Sequence, residues 1–154
     1  MQPPFDDAIK VHRWFAVECN NAAWDSIEGK SRSPEEMDRM ITVAHAARWH
    51  WKHAGGAVNE QRALCLLAYA YLTAGNCQEA LHYAQGCFAL TEAAPAGLTD
   101  FDRAVAFDAY AKAASRSGDS ATAGPLQEKA RQIAESLPDM DDRETALRIM
   151  ATIQ

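Results

Sequence analysis

The residues AVNEQRALCLLAYAYLTAGNCQEALHYAQGCFALTE, running from Ala57 to Glu92, decide the fold. Ala63 to Leu72 is an unbroken apolar run of ten residues, half of the about 20 that a membrane span requires. It reads as a central core helix. Gly75 ends it, because glycine readily takes the left-handed conformation of a helix end. Asn76, with Glu79 three residues on, opens the next helix by offering its side chain to the first turn's backbone donors. Helices are therefore predicted over 57–74 and from Asn76 to near Glu92, joined by a turn so short that they must run antiparallel.

The same punctuation recurs outward in both directions. Ser33-Pro34-Glu35-Glu36 supplies a Ser cap, a proline at the first helical position and a Glu that closes a capping box. That helix should continue to His53 and end at Gly55-Gly56. An earlier helix is predicted from Pro4 to Glu28, stopping at a left-handed Gly29. After the Pro95-Ala96-Gly97 loop, Thr99-Asp100 caps a fifth helix ending at Ser117, and Gly118-Asp119 starts a sixth that reaches Leu137. Pro125 inside the sixth should delay or kink its start, since the ring removes a hydrogen bond and crowds the preceding turn. Asp141-x-x-Glu144 reads as the capping box of a seventh helix through Ile153. No strand pattern competes. The chain is predicted to be all-α, a single domain over 1–154: a first hairpin over 1–56, two further hairpins over 57–137 and a terminal capping helix over 138–154.

Composition agrees. Among 154 residues, 31 are alanine, about a fifth, with Val, Ile and Thr sparse beside them, which favours close-packed helices over strands. A chain of this length buries enough surface to fold without a disulfide or metal staple. The four cysteines (Cys19, Cys65, Cys77, Cys87) form no C-x-x-C pair, and each lies in an apolar helical pattern, so reduced, buried thiols are expected. A net charge of -6 without a basic stripe argues against nucleic acid as a partner. The start, Met-Gln-Pro-Pro-Phe-Asp-Asp, has acidic residues and prolines where a secretory signal needs a basic and then an apolar stretch. A cytoplasmic protein without membrane insertion is expected.

The hairpins resemble one another. Superposing Gly75 on Gly118, an offset of 43 residues, places Leu67-Ala68 on Tyr110-Ala111, Ala80 on Ala123 and Cys87 on Ala130. Small residues at such places let helices approach closely. The pattern Leu64-x-x-Leu67-Ala68-x-x-Tyr71-x-x-x-Gly75-x-x-x-Glu79-Ala80 resembles the tetratricopeptide repeat (TPR). The second copy keeps Tyr110-Ala111, Gly118-Asp119 and Ala123 but has Ala114 where the family has Tyr, and the offset exceeds the family's 34 residues. The chain also resembles bacterial TPR-like proteins that carry a Trp-Phe-Ala-Val-Glu-like segment, here Trp14 to Glu18, and an Ala-His-rich segment; that likeness brings no activity with it. The TPR resemblance implies hairpins stacked as a right-handed superhelix that binds a protein or peptide. It also implies that the first helix of each pair lines a concave groove, which would hold Arg62, Tyr69, Asp108, Lys112 and Arg116. Asp108, Lys112 and Arg116, at steps of four, share one face and equally fit a solvated charge ladder.

All four tryptophans lie before residue 52 and four of five histidines before residue 54. At 100° per residue, Phe5, Ile9, Val11, Phe15, Cys19, Ala23 and Ile27 form the predicted core face of the first helix. Trp14, Val17, Asn21 and Trp24 form a second stripe. In the second helix Met37, Met40, Ile41, Ala44, Ala47 and Trp51 face one way, and His45, Trp49 and His53 the other. The second stripes serve either as further core, since a stacked helix touches neighbours on two sides, or as a surface for a partner or a second copy of the chain. Trp beside hydrogen-bonding groups is the composition of binding hot spots, so Trp14, Asn21, Trp24, His45, Trp49 and His53 are the candidate contacts.

Catalytic chemistry finds less support. Glu79-x-x-His82 is half of a di-iron bundle motif, whose partner motif is missing from the sequence. His50-x-x-His53 could place two imidazoles on adjacent turns for a metal. His12 and Glu18 could form an acid/base pair, and equally a structural hydrogen bond. No phosphate loop, nucleophile elbow or H-E-x-x-H occurs. The expected function is a non-enzymatic TPR-like interaction module without cofactor. The alternative is a small-molecule- or metal-binding helical-bundle enzyme in which His12, Glu18, His45 and His50 converge.

Overall fold

The computed structural model describes residues 7–154. These residues form seven helices: α1 Ala8–Glu28, α2 Pro34–Ala54, α3 Ala57–Ala74, α4 Cys77–Glu92, α5 Asp100–Arg116, α6 Ser120–Glu135 and α7 Met140–Ala151. No strand occurs among them. Successive helices pair as α1/α2, α3/α4 and α5/α6. Contacts also run from α1 to α3, α3 to α5 and α5 to α7, which makes those four helices one layer. Among the described residues α2, α4 and α6 have no comparable contact with each other, so they form an outer layer. The inner helices α3 and α5 carry the core. Every residue from Ala63 to Ala70, and from Ala104 to Ala109, is buried.

The turns explain the 43-residue offset. At the end of α3, Gly75 is left-handed (φ 78°), its N–H reaches Leu72 O, and the next N–H, of Asn76, returns to Tyr71 O at 2.9 Å. Gly118 (φ 87°), Ser115 O, Asp119 N–H and Ala114 O repeat that arrangement at the end of α5. Asn76 and Asp119 then cap α4 and α6, accepting from Glu79 N and Thr122 N. The matched small residues Ala68 and Ala111, Ala80 and Ala123, and Cys87 and Ala130 are all buried.

Several expectations are corrected. Gly29 is extended (φ -67°, ψ 166°) rather than left-handed; Arg32 Nη1 satisfies its carbonyl at 2.7 Å and so takes over part of the work of a glycine cap. Asp7 is the N-cap of α1, accepting from Lys10 N, so the helix starts at Ala8; the expected beginning at Pro4 and the core position of Phe5 lie outside the described residues. Pro125 does not delay α6, which starts at Ser120. The carbonyl that proline deprives of a donor belongs to Ala121, and Ala121, Gly124 and Pro125 are all exposed, so water can solvate it. The cap of α7 is Asp139, which accepts from Asp142 N at 2.9 Å, rather than Asp141. Ser33 does cap α2 through Glu36 N. All four cysteines are free thiols, Cys65 and Cys87 buried and Cys19 and Cys77 only half-buried. A hydrogen bond with Cys87, together with burial, pushes the Cys65 thiol well above the ordinary range.

Helix α7 packs over residues that the resemblance assigns to a groove. Its Ala146 and Ile149, and Ile153 just beyond, are buried against the inner layer. Lys112 Nζ donates to Met150 O, and Arg116 donates to Leu72 O at 2.8 Å and Gln154 O at 3.0 Å. Asp108 is fully buried and accepts from Tyr69 Oη, Lys112 Nζ (2.7 Å) and Gln127 Nε2 (2.8 Å). Tyr69, also fully buried, is therefore no groove residue; with Asp108 it forms a polar lock joining α3, α5, α6 and α7. Burial and the adjacent Asp108 carboxylate push its phenol well above the usual range.

Candidate functional site

The end of the first hairpin is built differently from the rest of the molecule. The later half of α1 buries Ala23 and Ile27 in the core and so meets the inner layer, where Trp24 packs on Tyr69 with ring centroids 5.4 Å apart. The earlier half has no such backing. Ile9 (58%), Trp14 (59%), Phe15 and Val17 are exposed. Ile9 and Phe15 were expected on the core face and are exposed, whereas Ala23 and Ile27 of that same face are buried and Cys19 packs against the core, so the stripe holds only along the later half of α1. Opposite them, the end of α2 presents Trp49, 54% exposed.

Histidines join the two helices at this end. His12 Nδ1 and His50 Nδ1 are 2.9 Å apart. The His12 and His53 rings stack at 4.5 Å, and Phe15 stacks on His50 at 5.2 Å. Trp49 packs on His53 at 4.5 Å and on His12 at 5.3 Å, while the Trp14 and Phe15 rings form a T-shaped pair at 4.9 Å. The result is one continuous aromatic surface spanning α1 and α2. Partial burial, with His12 and His53 beside it, holds His50 below the ordinary histidine range.

Charge distinguishes this surface further. Ala8 to Val17 and Met40 to Ala54 together contain Lys10, Arg13, Arg48 and Lys52 and no carboxylate, in a chain whose net charge is -6. Lys10 leans on Asp7 and Arg48 pairs with Glu60. Arg13 reaches Ala54 O at 3.3 Å, tying α1 to the end of α2. Lys52 and His53 lie in the last turn of α2, where the helix dipole favours cations.

The other candidates separate from this surface. His45 bonds Tyr71 Oη at 2.9 Å and lies edge-on to the stacked pair Tyr71 and Tyr83, so it belongs to the junction of α2 with α3 and α4. Burial first, and then Arg48, lower its pKa, with Glu79 opposing. Glu18 is exposed and makes no hydrogen bond with His12, His45 or His50. The four residues of the enzymatic alternative therefore do not converge. Asn21 is exposed and accepts from Asn20, Trp24 is half-buried, and Arg62 forms a bidentate pair with Asp102 at 2.8 and 2.9 Å. His50 and His53 both meet His12 rather than each other. No group of three or more His, Cys, Asp or Glu side chains suited to a metal ion occurs among the described residues.

Phe15 and Ile9 are surface residues that periodicity assigned to the core, and Val17, of the second stripe, is exposed beside them. The signal that could have found them is the absence of carboxylates from Ala8 to Val17 and Met40 to Ala54. No protein-family model, curated protein or solved structure matches the chain. Among the described residues, no helix is long and apolar enough to cross a membrane.

Proposed function

We propose that this chain is a non-enzymatic protein-interaction module, and that the aromatic, basic end of its first hairpin binds a partner segment carrying apolar and acidic side chains. The carrying observation is the exposed, continuous set Trp14, Phe15 and Trp49, braced by His12, His50 and His53. Exposed tryptophans held by neighbouring rings lose little side-chain entropy on binding and supply large contact areas. Arg13 and Lys52, which pair with no carboxylate among the described residues, favour a partner of opposite charge and speed its encounter. The same charges oppose a symmetric homodimer through this face, since a two-fold contact would set the basic residues against their own copies.

The two layers and the repeated αL-glycine turns support a TPR-like stack, read as a right-handed superhelix capped by α7, with a repeat longer than the family's 34 residues. In that reading the groove is closed by the chain's own α7, and the partner is received at the open end of the stack. Four thiols kept free fit a cytoplasmic setting.

Affinity capture from the source cell tests the proposal. Proteins retained by the wild-type chain should be lost with Trp14→Ala/Trp49→Ala and should elute with rising salt. An unchanged set of partners would remove the hot-spot role.

A further inference from the structure

A second surface, independent of the first hairpin's aromatic end, is a cleft of about 470 Å³ between α1, α3, α5 and α7. Its volume falls within the roughly 300–1,000 Å³ of small-molecule sites. Trp24 of α1, Phe101 and Val105 of α5 and Ile149 of α7 give it apolar walls from three elements. Gln61, fully buried, lies in the same lining. Its Nε2 donates to Thr91 Oγ1 at 3.0 Å and to Asp102 O, which fixes the orientation of the amide. Its Oε1 has no hydrogen-bond partner among the described residues. A buried acceptor left without a donor is costly; Oε1 is itself covered, so a ligand that brings an N–H or O–H to that wall removes the cost as the side chains over Oε1 part to admit it.

The charges of the cleft narrow the choice. Arg62 spends Nε and Nη2 on Asp102, and Glu28 pairs with Arg148 at 2.9 Å. Asp142 also lines the mouth. The one arginine is already committed and carboxylates outnumber it, so an anion is disfavoured. We infer that the cleft is a binding site for an uncharged aromatic small molecule with one hydrogen-bond donor, its ring between Trp24 and Phe101 and its donor on Gln61 Oε1. Helix α7 would be held in place by the bound ligand, since Thr145 and Ile149 form one wall.

Indole, with one N–H, and benzofuran, the same shape without a donor, probe the site directly. Amide resonances of the intact chain should shift saturably with indole at 61–65, 99–105 and 145–149. Benzofuran should bind about fivefold more weakly, the effect of one hydrogen bond. Thr145→Phe, which fills the mouth from a half-buried position, should abolish the response. Absence of saturable shifts there, equal binding of the two probes, or shifts confined to the Trp14/Trp49 end would overturn the assignment. If Thr145→Phe fails to fold, the comparison of probes on the wild type decides alone.

Discussion

His12 on α1 and His50 on α2 place their Nδ1 atoms 2.9 Å apart, so one imidazole donates and the other accepts. Two imidazolium rings could not keep this contact, because each nitrogen would then carry a proton. The pair fastens the poorly backed half of α1 to α2 and so sets the spacing of Trp14 and Trp49.

Acid should therefore loosen the first hairpin. His50 and His45 both have lowered folded-state pKa values, each chiefly from burial, against an unfolded value of about 6.5. Their contribution to stability is complete above that value and is lost as the pH falls from it toward the lowered folded values. The thermal midpoint should drop between about pH 7.5 and about pH 5. In His45→Gln/His50→Gln, scanning calorimetry should show a flatter dependence; an unchanged slope would place the pH sensitivity elsewhere.

Asp108 should be the most sensitive polar position in the core. Asp108→Ala leaves Lys112, only 10% exposed at its side chain, without its counter-charge, and removal of one partner from a buried pair costs about 3–5 kcal/mol. Tyr69→Phe removes one of three donors to the carboxylate and should cost about 1–3 kcal/mol. Urea denaturation measures both, and Asp108→Ala tolerated within about 0.5 kcal/mol, the range of a plain surface substitution, would refute the lock.

The repeated turns predict equal penalties. Gly75 and Gly118 have positive φ, and an added Cβ meets nothing within 4 Å at either. Gly75→Ala and Gly118→Ala should each lose about 1–2 kcal/mol from backbone conformation alone, again by urea denaturation. A clear asymmetry would mean the two turns are not equivalent.

Most of the fold was legible because caps and alanines act locally. Ser33, Asn76, Thr99 and Asp119 cap where the sequence places them, and the alanines at the 43-residue offset are buried. What periodicity could not supply was how far along α1 the inner layer extends. Ile9 and Phe15 extend the stripe of Ala23 and Ile27, but only the later half of α1 meets the inner layer; among the described residues the earlier half has α2 alone. The proposed binding surface was half legible: Trp14, Trp49 and His53 stood out by type, whereas their bracing by His12 and His50 depends on the pairing of α1 with α2. Tyr69 and Asp108 misled, because spacing alone does not reveal that α7 folds over them. The Gln61 acceptor gave no sequence signal, since its orphan state depends on where Thr91 and the Asp102 carbonyl come to lie.

Removing the exposed rings should spare the fold. Trp14→Ala and Trp49→Ala each delete mainly solvent-facing surface and should cost about 1 kcal/mol or less, read from the thermal midpoint. A loss of several kcal/mol would show that these rings are structural.

The most direct test titrates the chain with an amphipathic peptide of Glu, Leu and Phe at helical spacing and follows backbone amide shifts. Shifts should concentrate on 8–17 and 45–54, weaken with salt, and be absent with the Lys-for-Glu peptide. Trp14→Ala/Trp49→Ala should bind at least about tenfold more weakly at an unaltered fold. Equal affinity of the double variant, or shifts lying away from α1 and α2, would contradict a binding face at the end of the first hairpin.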